Sequence, residues 1–239
     1  MKTRYFSKKN EDAVYFAKCG KDDQDASVQD GRAYRHWKFG EKEGKTLGWE
    51  YKTVTGLIES FFVQEAGPYS EERLCIGLQN PEGGFVEVLQ FDMCKKDGSF
   101  SQDVCGIAKK LPNINTGEEL TFGCWHASEQ AWKTQQGKTI IPCYVTVQQN
   151  GTNVPSAYPY KDGAYEGIPA PEIKVLRGKE TKDFAARDEF FFGEIQKFGK
   201  MVEALGRKNQ RPKTEAEQAN PQAESSSPVA ADIEEDAPF

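Results

Sequence analysis

From position 47 onward, apolar and polar residues alternate in short runs closed by Gly, Pro, Asn or Ser, the pattern of half-buried strands. The first run, 49–64, is long for a strand and carries Gly56 near its middle, where a strand can bend or bulge. Leu74, Ile76 and Leu78 share one face of a second run, 73–78, and the turn 80–84 leads into a third, 85–91. Ser99 or Ser101 caps a short helix to about Leu111, with Val104, Ile107, Ala108 and Leu111 at helical spacing. The stretch 112–117 stops it. Segments 119–125 and 138–148 then read as fourth and fifth strands, with Pro142 at an edge or bulge because it cannot donate to a central ladder.

Three strands, a helix and two more strands is the element order of the OB fold, a five-stranded Greek-key barrel, although a small sandwich gives a similar order. Leu74, Ile76, Leu89, Phe91 and Phe122 are its expected core. Residues 1–45 are polar and glycine-punctuated, which predicts short elements added to the barrel. After Gly151 the chain is loop-like and rich in Tyr, Pro and Gly. A helix over 182–205 follows, because Phe184, Phe191, Ile195, Phe198, Val202 and Leu205 form an amphipathic stripe. Phe190, Phe191 and Phe192 surround one turn, so one ring is exposed, held at a dimer contact or sunk in a groove of the barrel. From 206 on there is almost nothing to bury, which predicts a disordered tail. The expected organisation is therefore mainly β: an OB-fold domain with an N-terminal extension over 1–181, the helix 182–205, and the tail 206–239.

Charge alone decides little. The 239 residues carry a net −6. From 206 on, four basic residues face seven acids, a balance of −3 that leaves −3 for 1–205. A near-neutral body can still carry a local basic groove. There is no apolar run of about 18 residues to span a membrane, and the basic start lacks an apolar core for a signal peptide. The six cysteines form no C-x-x-C pair, which predicts reduced thiols and a cytoplasmic location. His36 and His126 have no evident partners, and Cys124-Trp-His126 lacks a second ligand pair. No phosphate loop or nucleophile elbow occurs. No catalytic residue, metal site or cofactor is expected.

Binding single-stranded nucleic acid without sequence preference needs rings for base stacking and cations along the backbone. The stretch with Arg35, Trp37, Lys38, Phe39, Lys42, Lys45, Trp49, Tyr51 and Lys52 interleaves the two. Period-two alternation places Trp49, Tyr51, Thr53 and Thr55 on one face, outward, opposite Val54 and Ile58. Trp125 likewise alternates away from Leu120, Phe122 and Cys124. The competing expectation is ordinary packing, with Trp37 or the long helix covering these rings.

The last eight residues depart from the tail before them. Asp232, Ile233, Glu234, Glu235, Asp236, Ala237, Pro238 and Phe239 form an acidic tip closed by Pro-Phe. A Phe ring beside a terminal carboxylate suits a small apolar pocket rimmed with cations, and the acids steer the encounter. This tip resembles the C-terminal tip of bacterial and bacteriophage single-stranded-DNA-binding proteins. The resemblance rests on Asp232, Ile233, Glu234, Glu235, Asp236, Pro238 and Phe239; Ala237 stands where that family often has another apolar residue. A phage-type member fits better than a bacterial one, which lacks both the 45-residue preamble and the long helix. The resemblance implies coating of single-stranded DNA during replication, recombination or repair, and docking of partner proteins on the tip. It also implies a tail that competes with DNA for the groove. A recombination mediator or strand-annealing protein is the alternative with DNA; a β-rich structural or carbohydrate-binding module with a solubilising tail is the alternative without it. Oligomeric state is left open.

Overall fold

The computed structural model describes residues 2–19, 32–39, 42–66, 71–79, 85–134, 137, 139–176 and 179–209. The N-terminal part supplies four strands: β1 (Lys2–Lys9), β2 (Val14–Lys18), β3 (Arg32–Phe39) and β4 (Lys42–Tyr51). A meander follows, β5 (Thr53–Gln64), β6 (Arg73–Gln79) and β7 (Phe85–Asp92), then helix α1 (Gln102–Ala108) and β8 (Leu120–His126). A small hairpin, β9 (Trp132–Lys133) and β10 (Thr139–Ile140), precedes β11 (Cys143–Gln149) and β12 (Thr152–Asn153). Two more hairpins, β13 (Tyr160–Lys161) with β14 (Ala164–Tyr165) and β15 (Glu172–Leu176) with β16 (Lys179–Asp183), lead into helix α2 (Ala185–Asn209).

The mainly β character and the long C-terminal helix are as the sequence predicts. A five-stranded closed barrel is not what the main sheet forms: it has ten strands in the order β12-β11-β8-β5-β6-β7-β1-β2-β4-β3. The physical reason lies in the polar N-terminal stretch, which joins the sheet instead of decorating it. β1 runs parallel to β7, from Lys2 opposite Phe85 to Ser7 opposite Gln90, and so occupies the edge where β11 would have closed a barrel. β2 pairs with β1 and β4, and β3 with β4.

β5 is the hinge of the sheet. Its first part, Thr53–Gly56, pairs with β8, and its second, from Leu57, pairs with β6. The division falls at Gly56, as the sequence suggests, and a register shift follows between Ile58 and Ser60. The sheet curls, so its two halves meet. The Tyr15 hydroxyl on β2 donates to the Gly123 carbonyl on β8 at 3.3 Å, and Lys8 Nζ on β1 donates to the Cys143 carbonyl on β11 at 2.7 Å.

The expected core residues Leu74, Ile76, Leu89, Phe91 and Phe122 are all buried. Ser101 caps α1, its hydroxyl accepting from the Val104 N–H at 3.3 Å, and Val104, Ile107, Ala108 and Leu111 are buried below. α2 buries Phe191, Ile195, Phe198 and Val202, with Phe198 edge-on to Phe61 of β5 at 4.9 Å between centroids. Phe190 is half-buried against Tyr158 at 5.3 Å and Phe192 packs against the core, so the three-Phe turn sits in a groove of the body. Segment 151–181 holds short hairpins where loop was expected. No helix of the described residues is long and apolar enough to cross a membrane. α2 runs on to Asn209, past the predicted helix end at 205 and into the predicted tail; the rest of the tail, from 210, and its tip lie outside the described residues.

Candidate nucleic-acid interface

The strand carrying Trp49 and Tyr51 does not run unbroken into Thr53. The chain bends at Lys52, between β4 and β5, and the bend turns the alternation over. Beyond it Thr53 and Thr55 are exposed and Val54 is buried, as expected. Before it the expectation fails: Trp49 is only 9% exposed, and Tyr51 is half-buried. The Arg4 guanidinium lies over the Trp49 ring, 4.2 Å from its centroid, and donates to the Tyr51 hydroxyl at 3.4 Å. Phe6 packs on Tyr51 with centroids 5.3 Å apart. Both rings face the core, and what covers them is β1, not the long helix.

Arg35 is committed as well. It pairs with Asp12 and with Glu50 at 3.0 Å, and its guanidinium sits 5.6 Å from the centroid of Phe16. The Phe16 ring itself lies across Gly48, where an added Cβ would stand 2.3 Å from it. Lys45, opposite the exposed His36, and Lys52 are exposed cations. The backbones of Trp37, Lys38 and Phe39 pair with Gly44, Glu43 and Lys42 in the β3–β4 hairpin; their side chains lie outside the described residues. Tyr34, on the same hairpin, is 56% exposed.

The Trp125 expectation agrees with the structure. Its ring is 42% exposed on the outer face of β8. Tyr144 of β11 stands directly opposite and packs against it, with centroids 5.6 Å apart and the ring planes 39° from parallel. Around this pair the outer face is made of Thr53 and Thr55 of β5, Thr121 and Gly123 of β8, and Thr146 of β11. The Thr55 and Thr121 hydroxyls share a hydrogen bond of 2.9 Å. Gly123 keeps the surface flat: a Cβ there would stand 2.8 Å from the Thr146 hydroxyl. Beside the pair, the segment joining β8 to β11 holds Trp132, 53% exposed, with Lys133 and the 41% exposed Ile141. The Tyr144 hydroxyl donates to Gln130 of that segment at 2.5 Å, which fixes the ring.

This face is tied to the base of the β3–β4 hairpin. His126, next to Trp125, donates from Nε2 to the Asn10 carbonyl at 2.7 Å, and Asp12 of the same turn holds Arg35. Trp125, Lys52 and Lys45 thus remain surface residues from the predicted set, whereas Trp49 and Tyr51 leave it. Tyr144 and Trp132 were missed. Alternation within β11 places Tyr144 with Thr146 on one face, but only the pairing register brings it onto Trp125. Among the described residues no group of three or more His, Cys, Asp or Glu side chains is arranged to hold a metal ion. No protein-family model, no curated protein and no solved structure matches this chain.

Proposed function

We propose that this chain coats single-stranded DNA without sequence preference, taking bases on the open face of β5, β8 and β11, and that its acidic tip recruits replication, recombination or repair proteins. The observation that carries this proposal is the exposed Trp125 ring, paired with the half-buried Tyr144 on a threonine-lined sheet face. An aromatic pair left open in this way is a stacking platform, worth about 1–3 kcal/mol per base. In this reading β5, β6, β7, β8 and β11 correspond to the five strands of an OB fold, with β1 inserted at its closing seam. The β9–β10 segment with Trp132 then corresponds to the loop between the fourth and fifth strands, one of the elements with which OB domains hold oligonucleotides. The role in phage DNA metabolism rests on the resemblance of the tip.

The test is titration of the full chain with oligo(dT), following tryptophan emission across a salt series. Emission is expected to quench, with affinity falling steeply as salt rises. Trp125→Ala should weaken binding about tenfold, in line with the loss of one stacked base. Removal of 232–239 should tighten DNA binding, because an anionic competitor is lost, and abolish partner docking. Absence of binding at low salt, in both the full chain and the shortened one, would overturn the proposal and leave the structural or carbohydrate-binding alternative.

A further inference from the structure

On the inner side of the Trp125–Tyr144 ladder lies a group that the nucleic-acid reading does not use. β8 and β11 are antiparallel, with Cys124 opposite Val145 and His126 opposite Cys143. Alternation therefore puts Cys124, His126 and Cys143 on one face, the face away from Trp125 and Tyr144. The two thiols sit on a diagonal of the ladder, on the same face, and each perturbs the other's ionisation. Around them stand Lys8 of β1, whose ammonium lies 2.7 Å from the Cys143 carbonyl, Tyr15 of β2, whose hydroxyl donates to the Gly123 carbonyl beside Cys124 at 3.3 Å, and Asp103 of α1. Cys124 and Cys143 are half-buried, whereas Cys19 and Cys75 are fully buried.

We infer that Cys124 and Cys143 form an oxidation site, a dithiol that a peroxide closes to a disulfide, with Cys143 as the attacking thiolate and Cys124 as the resolving thiol. The assignment of roles follows from the surroundings. The neighbouring Cys124 thiol, with Lys8 and His126 beyond it, holds the Cys143 thiol below its ordinary value, against the opposing pull of burial and Asp103. Cys124 is pushed the other way, by its coupling to Cys143 and by burial, and stays protonated. A thiolate populated near neutral pH is the nucleophile in such chemistry.

The step balances. The Cys143 thiolate attacks one peroxide oxygen, the O–O bond breaks, and the departing hydroxide takes a proton to become water. The sulfenic acid left on Cys143 is then attacked by the Cys124 sulfur. An S–S bond forms, the S–O bond breaks, and the hydroxide leaves with the Cys124 proton as a second water. Two thiols lose two electrons, and one peroxide is reduced to two waters. Trp125 and Tyr144 are the next residues along each strand, so drawing the two sulfurs together is expected to alter the geometry of the ring pair on the other face. Closure of the site does not depend on the nucleic-acid reading.

The experiment treats the full chain with hydrogen peroxide at neutral pH and maps its peptides without reduction. Trypsin isolates Cys124 in segment 111–133 and Cys143 in segment 139–161, each with a single cysteine. The expected result is a linked 111–133/139–161 species that dithiothreitol separates, together with a change in tryptophan emission. Cys124→Ser should leave a Cys143 sulfenic acid that dimedone traps, and alkylation of Cys143 by iodoacetamide in the unaltered chain should show a midpoint below the ordinary thiol value. Peroxide loss confined to other cysteines, with both of these segments still reduced, would overturn the inference. So would a Cys143 alkylation midpoint at the ordinary thiol value of about 8.5.

Discussion

Lys8 ties together two strands of the curled sheet and a helix. Its ammonium donates to both Asp103 carboxylate oxygens, at 2.7 and 2.6 Å, and to the Cys143 carbonyl, so β1, α1 and β11 meet on one charge. Burial pushes the Asp103 carboxyl above its ordinary range while Lys8 pulls it down. Lys8→Met should therefore cost about 3–5 kcal/mol at neutral pH, since it strands a largely buried carboxylate. The sign of the pH dependence follows. A carboxyl whose folded-state value is raised contributes stability that is present below its unfolded value and is lost as pH rises through the folded one. The variant lacks the pull of Lys8, so its deficit should shrink as the pH falls through the carboxylate range; urea unfolding of both proteins from neutral to acid pH measures it. None of this was legible in the sequence, because Lys8, Asp103 and Cys143 are far apart in it. Trp49 shows the opposite failure: the local alternation was real, but the bend at Lys52 inverted which side it named.

Elements whose partners are local, or whose stripes are long, were readable. Phe191, Ile195, Phe198 and Val202 of the predicted stripe lie on the buried face of α2, and β5 divides its partners at Gly56. α2 begins later than predicted, at Ala185, whose N–H is held by the Asp183 carboxylate at 2.9 Å. The β15–β16 hairpin was not readable, because its apolar residues Ile173 and Val175 are 65% and 68% exposed and give no burial pattern. The helix sits close on the sheet. An added Cβ at Gly199 would lie 3.1 Å from the Phe61 carbonyl, and Phe198 meets the Phe61 ring one residue earlier. Phe198→Ala should cost about 3–5 kcal/mol of stability, as for large core truncations. Met201→Ala, at a side chain 43% exposed, should cost far less. Chemical denaturation of the two variants distinguishes a helix that belongs to the core from one that merely rests on it.

At the scale of the whole molecule, the element order β5-β6-β7-α1-β8-β11 came through from sequence and the closure did not. Turn signals and alternation report neighbours along the chain, whereas the parallel pairing of β1 with β7 joins distant segments and leaves no local mark. The candidate interface divides in the same way: Trp125 could be found from its own strand, and Tyr144 only from the register between two.

That pairing governs the order in which the protein can assemble. Lys2 meets Phe85, 83 positions on, so β1 closes one of the longest loops in the fold. The β5–β6–β7 hairpins form between near neighbours and need not wait for it. Until β1 docks, β7 presents a bare row of amide and carbonyl groups, and a second incomplete chain can occupy it as readily as the native strand. Refolding yield from denaturant should accordingly fall as protein concentration rises, while the finished fold at the same concentrations stays dispersed; light scattering during dilution follows both. β1 is thus at once the seam of the sheet and its shield against other copies.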